Sequence, residues 1–122
     1  MNVKSLNWLG IRTDKFEETV RFFRDVMSLP VASEEPDFVE MRLPDGRRVE
    51  VFGPADTEHR HFNTGPVVGF QVDDIQQARA ELEAAGIEFV GPIRSLDDGY
   101  SWSHFRGPDG NVYEITYSPS EP

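Results

Sequence analysis

The chain has 122 residues, 38% hydrophobic and 11% aromatic, which is enough apolar material for one packed domain and too much for a disordered segment. Twelve Lys and Arg stand against 22 Asp and Glu, a formal net charge of −10, and this balance excludes the phosphate-tracking surface that nucleic acid or an anionic membrane would require. Cysteine is absent, so disulfides, a thiolate nucleophile and Cys-based metal sites are excluded as well.

Residues 1–4 lead straight into a strand pattern, and no eighteen apolar residues run together, so the expectation is a soluble cytoplasmic protein. Leu6 to Ile11 reads as the first strand. Thr13 and Asp14 offer side-chain oxygens to cap a helix whose apolar stripe is Phe16, Val20, Phe23 and Met27, and Pro30 ends it. Ser33 to Asp37 is a polar connector, a turn or a short strand. Phe38 to Leu43 and Arg48 to Phe52 then alternate on either side of Pro44-Asp45-Gly46, which predicts a β-hairpin. Val39, Met41, Leu43, Val49 and Val51 share one face of that hairpin, and Glu40, Arg42, Arg48, Glu50 and Phe52 share the other.

The stretch 54–66 lacks periodicity and reads as a linker. Beyond it the pattern begins again. Val67 to Val72 is a strand, Asp73 a cap, and Ile75, Ala78, Leu82 and Ala85 the stripe of a helix closed by Gly86. Ile87 to Ile93 is a further strand and Tyr100 to Thr116 a second hairpin, followed by a tail at 118–122 without structure signals. Pro44, Asp45, Gly46 and Glu50 recur as Pro108, Asp109, Gly110 and Glu114, each 64 residues on. The chain is thus one domain of two modules, 1–53 and 67–117, each a strand, a helix and three further strands. Such units side by side can form a curved sheet with helices outside and a cleft inside. Alternation points Trp8, Gly10, Arg12, Phe38, Glu40, Arg48, Glu50, Phe52, Val67, Gln71, Trp102, His104, Arg106 and Glu114 toward that cleft, and charged and aromatic residues there imply a ligand.

The Pro-Asp-Gly-Asn turn with Glu114 three residues after Asn111, the strand Phe70-Gln71-Val72-Asp73-Asp74, and the helix Arg21-Phe22-Phe23-Arg24-Asp25-Val26 before Leu29 resemble the vicinal oxygen chelate superfamily. That superfamily contains glyoxalase I, extradiol dioxygenases, fosfomycin-resistance enzymes and bleomycin-binding resistance proteins. The resemblance covers nearly the whole chain. It implies an α+β fold of tandem βαβββ modules whose curved mixed sheet makes a cup with helices outside. It also implies, for the metal-dependent members, a divalent ion held by a His on the first strand and a Glu on the last strand of each module. Carried onto this sequence, the Glu positions are Glu50 and Glu114, whereas Trp8 and Val67 occupy the His positions and neither can ligate a metal.

The expectation is therefore a small-molecule binding protein without cofactor, a homodimer, whose ligand is aromatic or cationic and is held by Trp8, Arg12, Phe38, Arg48, Glu50, Phe52, Trp102, His104 and Glu114. Trp8 and Trp102 would sandwich a planar group, or Trp8 would only fill the space of the missing metal. The alternative is a glyoxalase-like lyase or isomerase, or a dioxygenase, with a non-standard metal site at Glu50 and Glu114. His104 reads as a hydrogen-bonded bystander, and His59 and His61 as exposed loop residues. No catalytic residue is assigned, since no Ser-His-Asp order, P-loop or dinucleotide glycine pattern is present.

Overall fold

The alternating and helical patterns fold into eight strands and two α-helices in a computed structural model that describes residues 1–121. In chain order these are β1 (Val3–Arg12), α1 (Phe16–Arg21), β2 (Val31–Glu35), β3 (Phe38–Arg42), β4 (Arg48–Phe52), β5 (Val67–Val72), α2 (Ile75–Ala84), β6 (Glu88–Ser95), β7 (Ser101–Arg106) and β8 (Val112–Tyr117). The order β-α-β-β-β occurs twice, as the repeat requires. No helix among the described residues is long and apolar enough to cross a membrane. Contacts divide the chain into two units, one of Trp8–Pro66 and one of Met1–Asn7 with the chain from Val67 onward.

In the unit Trp8–Pro66 the strand order is β2-β3-β4-β1, with β1 parallel to β4 and the other pairs antiparallel. The hairpin register sets Val39 against Val51 and Met41 against Val49 on one face, and Glu40 against Glu50 and Phe38 against Phe52 on the other. The apolar face packs with Val20 and Leu29 as the core, flanked by Leu9, Ile11, Phe16, Phe23 and Leu43. The expected stripe of α1 is corrected at its end, because Met27 is 52% exposed. A π-helical turn over Phe22–Val26 follows α1, with Met27 N–H donating to Phe22 O at 3.0 Å. The wider turn rotates residue 27 off the core face. Ser28 then adopts a left-handed φ of 61°, and Leu29 folds back to donate to Phe23 O and takes the buried place. Asp14 makes no cap either. Lys15 is the cap residue, and Thr13 Oγ1 accepts from its N–H at 3.0 Å. The polar connector after Pro30 forms β2, exposed along its whole length.

The second unit has the order β5-β8-β7-β6, with β5 parallel to β8 and the remaining pairs antiparallel. Its core is Val72, Ile75, Ala78, Phe105 and Ile115, flanked by Leu82, Phe89, Ile93 and Tyr113. The cap of α2 is Asp74 and not Asp73, since Asp74 Oδ1 accepts from Gln77 N–H at 3.0 Å. Residues 1–7 are tied to this unit by side chains. The N-terminal amine pairs with Glu81, and Thr116 Oγ1 donates to Asn7 Oδ1 at 2.9 Å. The tail differs from expectation: Glu121 N–H closes a turn on Ser118 O, and Glu121 O accepts from the buried Gln71 Nε2 at 2.7 Å. Pro122, the last residue of that expected tail, lies outside the described residues.

The two Pro-Asp-Gly turns are built alike. Leu43 N–H donates to Arg47 O and Gly46 N–H to Leu43 O, just as Gly107 N–H donates to Asn111 O and Gly110 N–H to Gly107 O. Gly46 and Gly110 have φ of 87° and 83°, a conformation that glycine adopts without steric cost. These turns fix the register of each hairpin, and through it the position of Glu50 and Glu114.

Candidate functional site

The parallel register sets Gly10 opposite Glu50 in one unit and Gly69 opposite Glu114 in the other. The two carboxylates therefore hold equivalent places on equivalent strands. Their partners are not equivalent. Trp8 Nε1 donates to Glu50 Oε1 at 2.8 Å, although the register sets Trp8 opposite Arg48 and not opposite Glu50. The indole reaches Glu50 by lying along its own strand over Gly10. A Cβ at position 10 would fall 1.9 Å from Trp8 Cη2. Only glycine leaves this room.

Val67 stands where Trp8 stands in the other unit, is 1% exposed, and carries no polar atom to offer. Glu114 instead receives its partner from the antiparallel neighbour, where His104 lies directly opposite in register and hydrogen-bonds through Nε2 to Glu114 Oε2 at 2.8 Å. Both are buried, His104 at 8% and Glu114 at 3% exposure. Burial, with a smaller contribution from the Arg94 charge, pushes His104 down to about 4. The imidazole is thus uncharged near neutral pH, and the contact is a hydrogen bond of a neutral ring and not an ion pair, because burying a separated charge costs more than the pairing returns. His104, expected as a hydrogen-bonded bystander, is hydrogen-bonded, and its partner is Glu114. The equivalent of His104 across from Glu50 is Glu40, which pairs with Arg42 at 2.7 Å.

These donor sets do not suit a divalent ion. An indole N–H and a valine hold the two positions where the family's metal enzymes carry histidine, and among the described residues no three His, Asp or Glu side chains converge to hold a metal.

Trp8, the partner of Glu50, belongs to an aromatic cluster. Phe62, 3% exposed, packs edge-on against Trp8 at 5.9 Å and against Phe52 at 6.1 Å between ring centroids. Phe38 lies 5.4 Å from Phe52, and His59 stacks on Phe52 at 4.0 Å with the rings 24° apart. The expectation of exposed loop histidines is thereby corrected for both, since His61 is also partly buried, with its ring 4.9 Å from that of Phe62. The His59 ring is half-buried, and its Nδ1 lies 2.9 Å from Asp56 Oδ1. Alternation along strands has no purchase on an irregular loop, so Phe62 and His59 were beyond its reach; the signal present was a phenylalanine and two histidines crowded into an otherwise polar stretch.

Arg12 holds this loop. It donates through Nη2 to Pro54 O at 3.2 Å and to Asp56 O at 3.0 Å, and its Nε lies 3.5 Å from Asp56 Oδ2. Asp37, left-handed with φ 59°, accepts from Ala55 N–H at 2.5 Å, and its carboxylate lies where a Cβ on Gly53 would stand, at 2.6 Å. Between the turn at Glu35–Phe38 and the loop at Ala55–His59, floored by Phe52, is a pocket of about 300 Å³. Of the expected ligand-binding residues, the unit Trp8–Pro66 brings together Trp8, Phe38, Glu50 and Phe52, and commits Arg12 to its loop. Arg48 stands opposite Trp8 and Arg42 in register. The other unit joins His104 to Glu114, and places Trp102 opposite Thr116, 6.1 Å from Tyr100.

A family model described as the Glyoxalase/Bleomycin resistance protein/Dioxygenase superfamily matches residues 5–115. Among solved structures, methylmalonyl-CoA epimerase from Mycobacterium tuberculosis is similar with a TM-score of 0.72 and 16% identity, over 95% of this chain and 89% of that one. A glyoxalase/bleomycin resistance protein/dioxygenase superfamily member from Vibrio splendidus 12B01 gives a TM-score of 0.69 at 20% identity, over 96% and 100% of the two chains. An NAD-dependent benzaldehyde dehydrogenase structure from Legionella pneumophila gives 0.65 at 16% identity, over 92% and 98%. At such identities the likeness is one of fold. No curated protein matches the sequence significantly.

Proposed function

This chain belongs to the glyoxalase/bleomycin resistance protein/dioxygenase superfamily, and from that premise we propose that it is a metal-independent protein that binds an aromatic or cationic small molecule. The observation that carries the reading is the hydrogen bond from Trp8 Nε1 to Glu50 Oε1, at 2.8 Å, inside a cluster of Trp8, Phe38, Phe52, His59 and Phe62. A carboxylate that would be a metal ligand in the family's metal enzymes is here part of an aromatic wall. Aromatic side chains with a few placed polar groups are the usual lining of sites for organic ligands. The net charge of −10 favours the approach of cations over anions.

The test is a titration of intrinsic tryptophan fluorescence with a library of aromatic and cationic compounds, bleomycin included. Saturable quenching or enhancement, weakened in Glu50→Gln, is the expected result; no response across the library defeats the reading. The competing reading is a lyase, isomerase or dioxygenase using a divalent metal at Glu50 and Glu114. It requires stoichiometric Ni, Zn, Mn or Fe by elemental analysis after reconstitution, lost in Glu50→Gln, and that outcome would overturn metal independence. The proposal includes a homodimer, supported by exposed Leu6, Phe22, Val26 and Met27 and measured by sedimentation equilibrium, where a monomer at all concentrations would remove it.

A further inference from the structure

We propose that the pocket between the Glu35–Phe38 turn and the Ala55–His59 loop is a binding site for a small arylalkyl ammonium ion. The proposal rests on the small-molecule reading above and adds to it a ligand class and a pocket at the Phe38–Phe52–His59 end of the aromatic cluster, which Trp8 and Glu50 do not line.

The pocket has an aromatic side and an acidic side. Phe38, Phe52 and His59 supply rings, of which the buried Phe52 is covered by His59, leaving the partly exposed Phe38 as the ring open to an occupant. Glu35, Asp37, Asp56 and Glu58 supply carboxylates, and no Lys or Arg lines the pocket. Two of the four carboxylates are occupied in building the walls, Asp37 by Ala55 N–H and Asp56 by His59 and Arg12. Glu35 and Glu58 have no ion-pair partner among the described residues and stand exposed at the pocket.

Chemistry then narrows the occupant. An anion is repelled by the lining. An inorganic divalent cation finds no converging set of three ligands among the described residues. A neutral aromatic gains the ring contact but nothing from the carboxylates. A flat apolar body bearing an ammonium group gains both, through stacking and cation–π contact at Phe38 and through charge-assisted hydrogen bonds to Glu58 or Glu35. The volume of about 300 Å³ is at the small end of ligand pockets and suits a single ring with a short amine arm.

The experiment follows backbone amide shifts by NMR while benzylammonium chloride, benzyl alcohol or sodium benzoate is titrated at constant ionic strength and pH 7. The expected result is saturable shifts at Phe38, Ala55, Glu58 and His59 for benzylammonium, with benzyl alcohol weaker by about fivefold and benzoate silent. The double variant Glu35→Gln, Glu58→Gln should weaken benzylammonium about fivefold and leave benzyl alcohol within about twofold. Both positions are exposed, so the variant keeps the fold, and circular dichroism verifies it. Equal affinity for the alcohol and the ammonium, shifts confined to residues outside this pocket, or an affinity indifferent to the double variant overturns the proposal while leaving the broader reading intact. Silence with all three probes also overturns it, and the broader reading falls only if the fluorescence library is silent too.

Discussion

Replacing Gly10 by alanine tests whether the indole of Trp8 is the element around which the aromatic cluster is built. The added Cβ would stand 1.9 Å from Cη2 and 2.6 Å from Cζ2 and Cζ3 of Trp8, so the ring has to leave. Gly10 has no left-handed φ, and the demand for glycine is therefore steric and owes nothing to backbone strain. Two losses follow: the hydrogen bond to Glu50, about 1.5–3 kcal/mol for a charged acceptor, and the packing of a ring that is 7% exposed, where overpacking costs about 1–3 kcal/mol. Because Glu50 is only partly buried, the lower end of the first range applies, and the expected total is about 3 kcal/mol. For a chain of this size that lowers Tm by about 10 °C. Urea denaturation followed by far-ultraviolet circular dichroism measures the loss, and the tryptophan emission reports the change around Trp8. The decisive control is the same substitution in a Trp8→Ala background, where the obstruction no longer exists and alanine is favoured over glycine in a strand by about 0.5–1 kcal/mol. A coupling of about 3.5–4 kcal/mol between the two positions is expected. If Gly10→Ala costs the same with and without Trp8, the indole does not depend on the glycine and the account of the site is wrong.

Two further outcomes follow from the same geometry. His104 has its pKa lowered from 6.5 to about 4 by burial, so the unfolded chain takes up its proton at higher pH than the folded one. The stability linked to this group is complete above pH 6.5 and is lost as pH falls toward about 4, an amount of about 3 kcal/mol. Urea midpoints of the wild type and His104→Gln between pH 7.5 and 4.5 should therefore converge toward low pH; parallel curves would refute a buried neutral imidazole. Phe62→Ala removes a ring 3% exposed from a segment with no regular structure and should cost about 3 kcal/mol while shifting tryptophan emission, since the ring lies 5.9 Å from Trp8. A loss below about 1 kcal/mol would show that the segment is not part of the core.

The fold was legible because the information that specifies it is periodic and duplicated. Alternation at Val39, Met41, Val49 and Val51 assigns a face whatever the distant contacts are, and the repeated Pro-Asp-Gly turn sets the register twice with the same hydrogen bonds. Helix ends were less legible. Asp73 and Asp74 are equally good cap residues by type, and the choice between them is made by the path of the strand before them. The π-helical turn was invisible to a period of 3.6, since Met27 falls on the stripe only if every turn is of the α kind. The 54–66 segment has no period to read, and there the sequence conceals a buried phenylalanine and a stacked histidine that tertiary contact alone reveals.

At the site, position was legible and partnership was not. Equivalence of Glu50 and Glu114 follows from the repeat, and the family resemblance sets Trp8 and Val67 where its metal-dependent members carry histidine. What the repeat cannot convey is reach. A side chain opposite in register, as His104 is to Glu114, meets its partner directly across the strand pair. One that is two residues out of register, as Trp8 is to Glu50, meets it only if the intervening residue is small and the side chain long. Glycine at 10 and tryptophan at 8 satisfy both conditions together, whereas valine at 67 fails the second even with glycine at 69. The backbone of the duplicated unit is thus conserved between its copies while the carboxylate of each copy is satisfied from a different strand. The parallel neighbour serves in one and the antiparallel neighbour in the other, and for this reason Glu50 belongs to an aromatic wall and Glu114 to a buried imidazole pair.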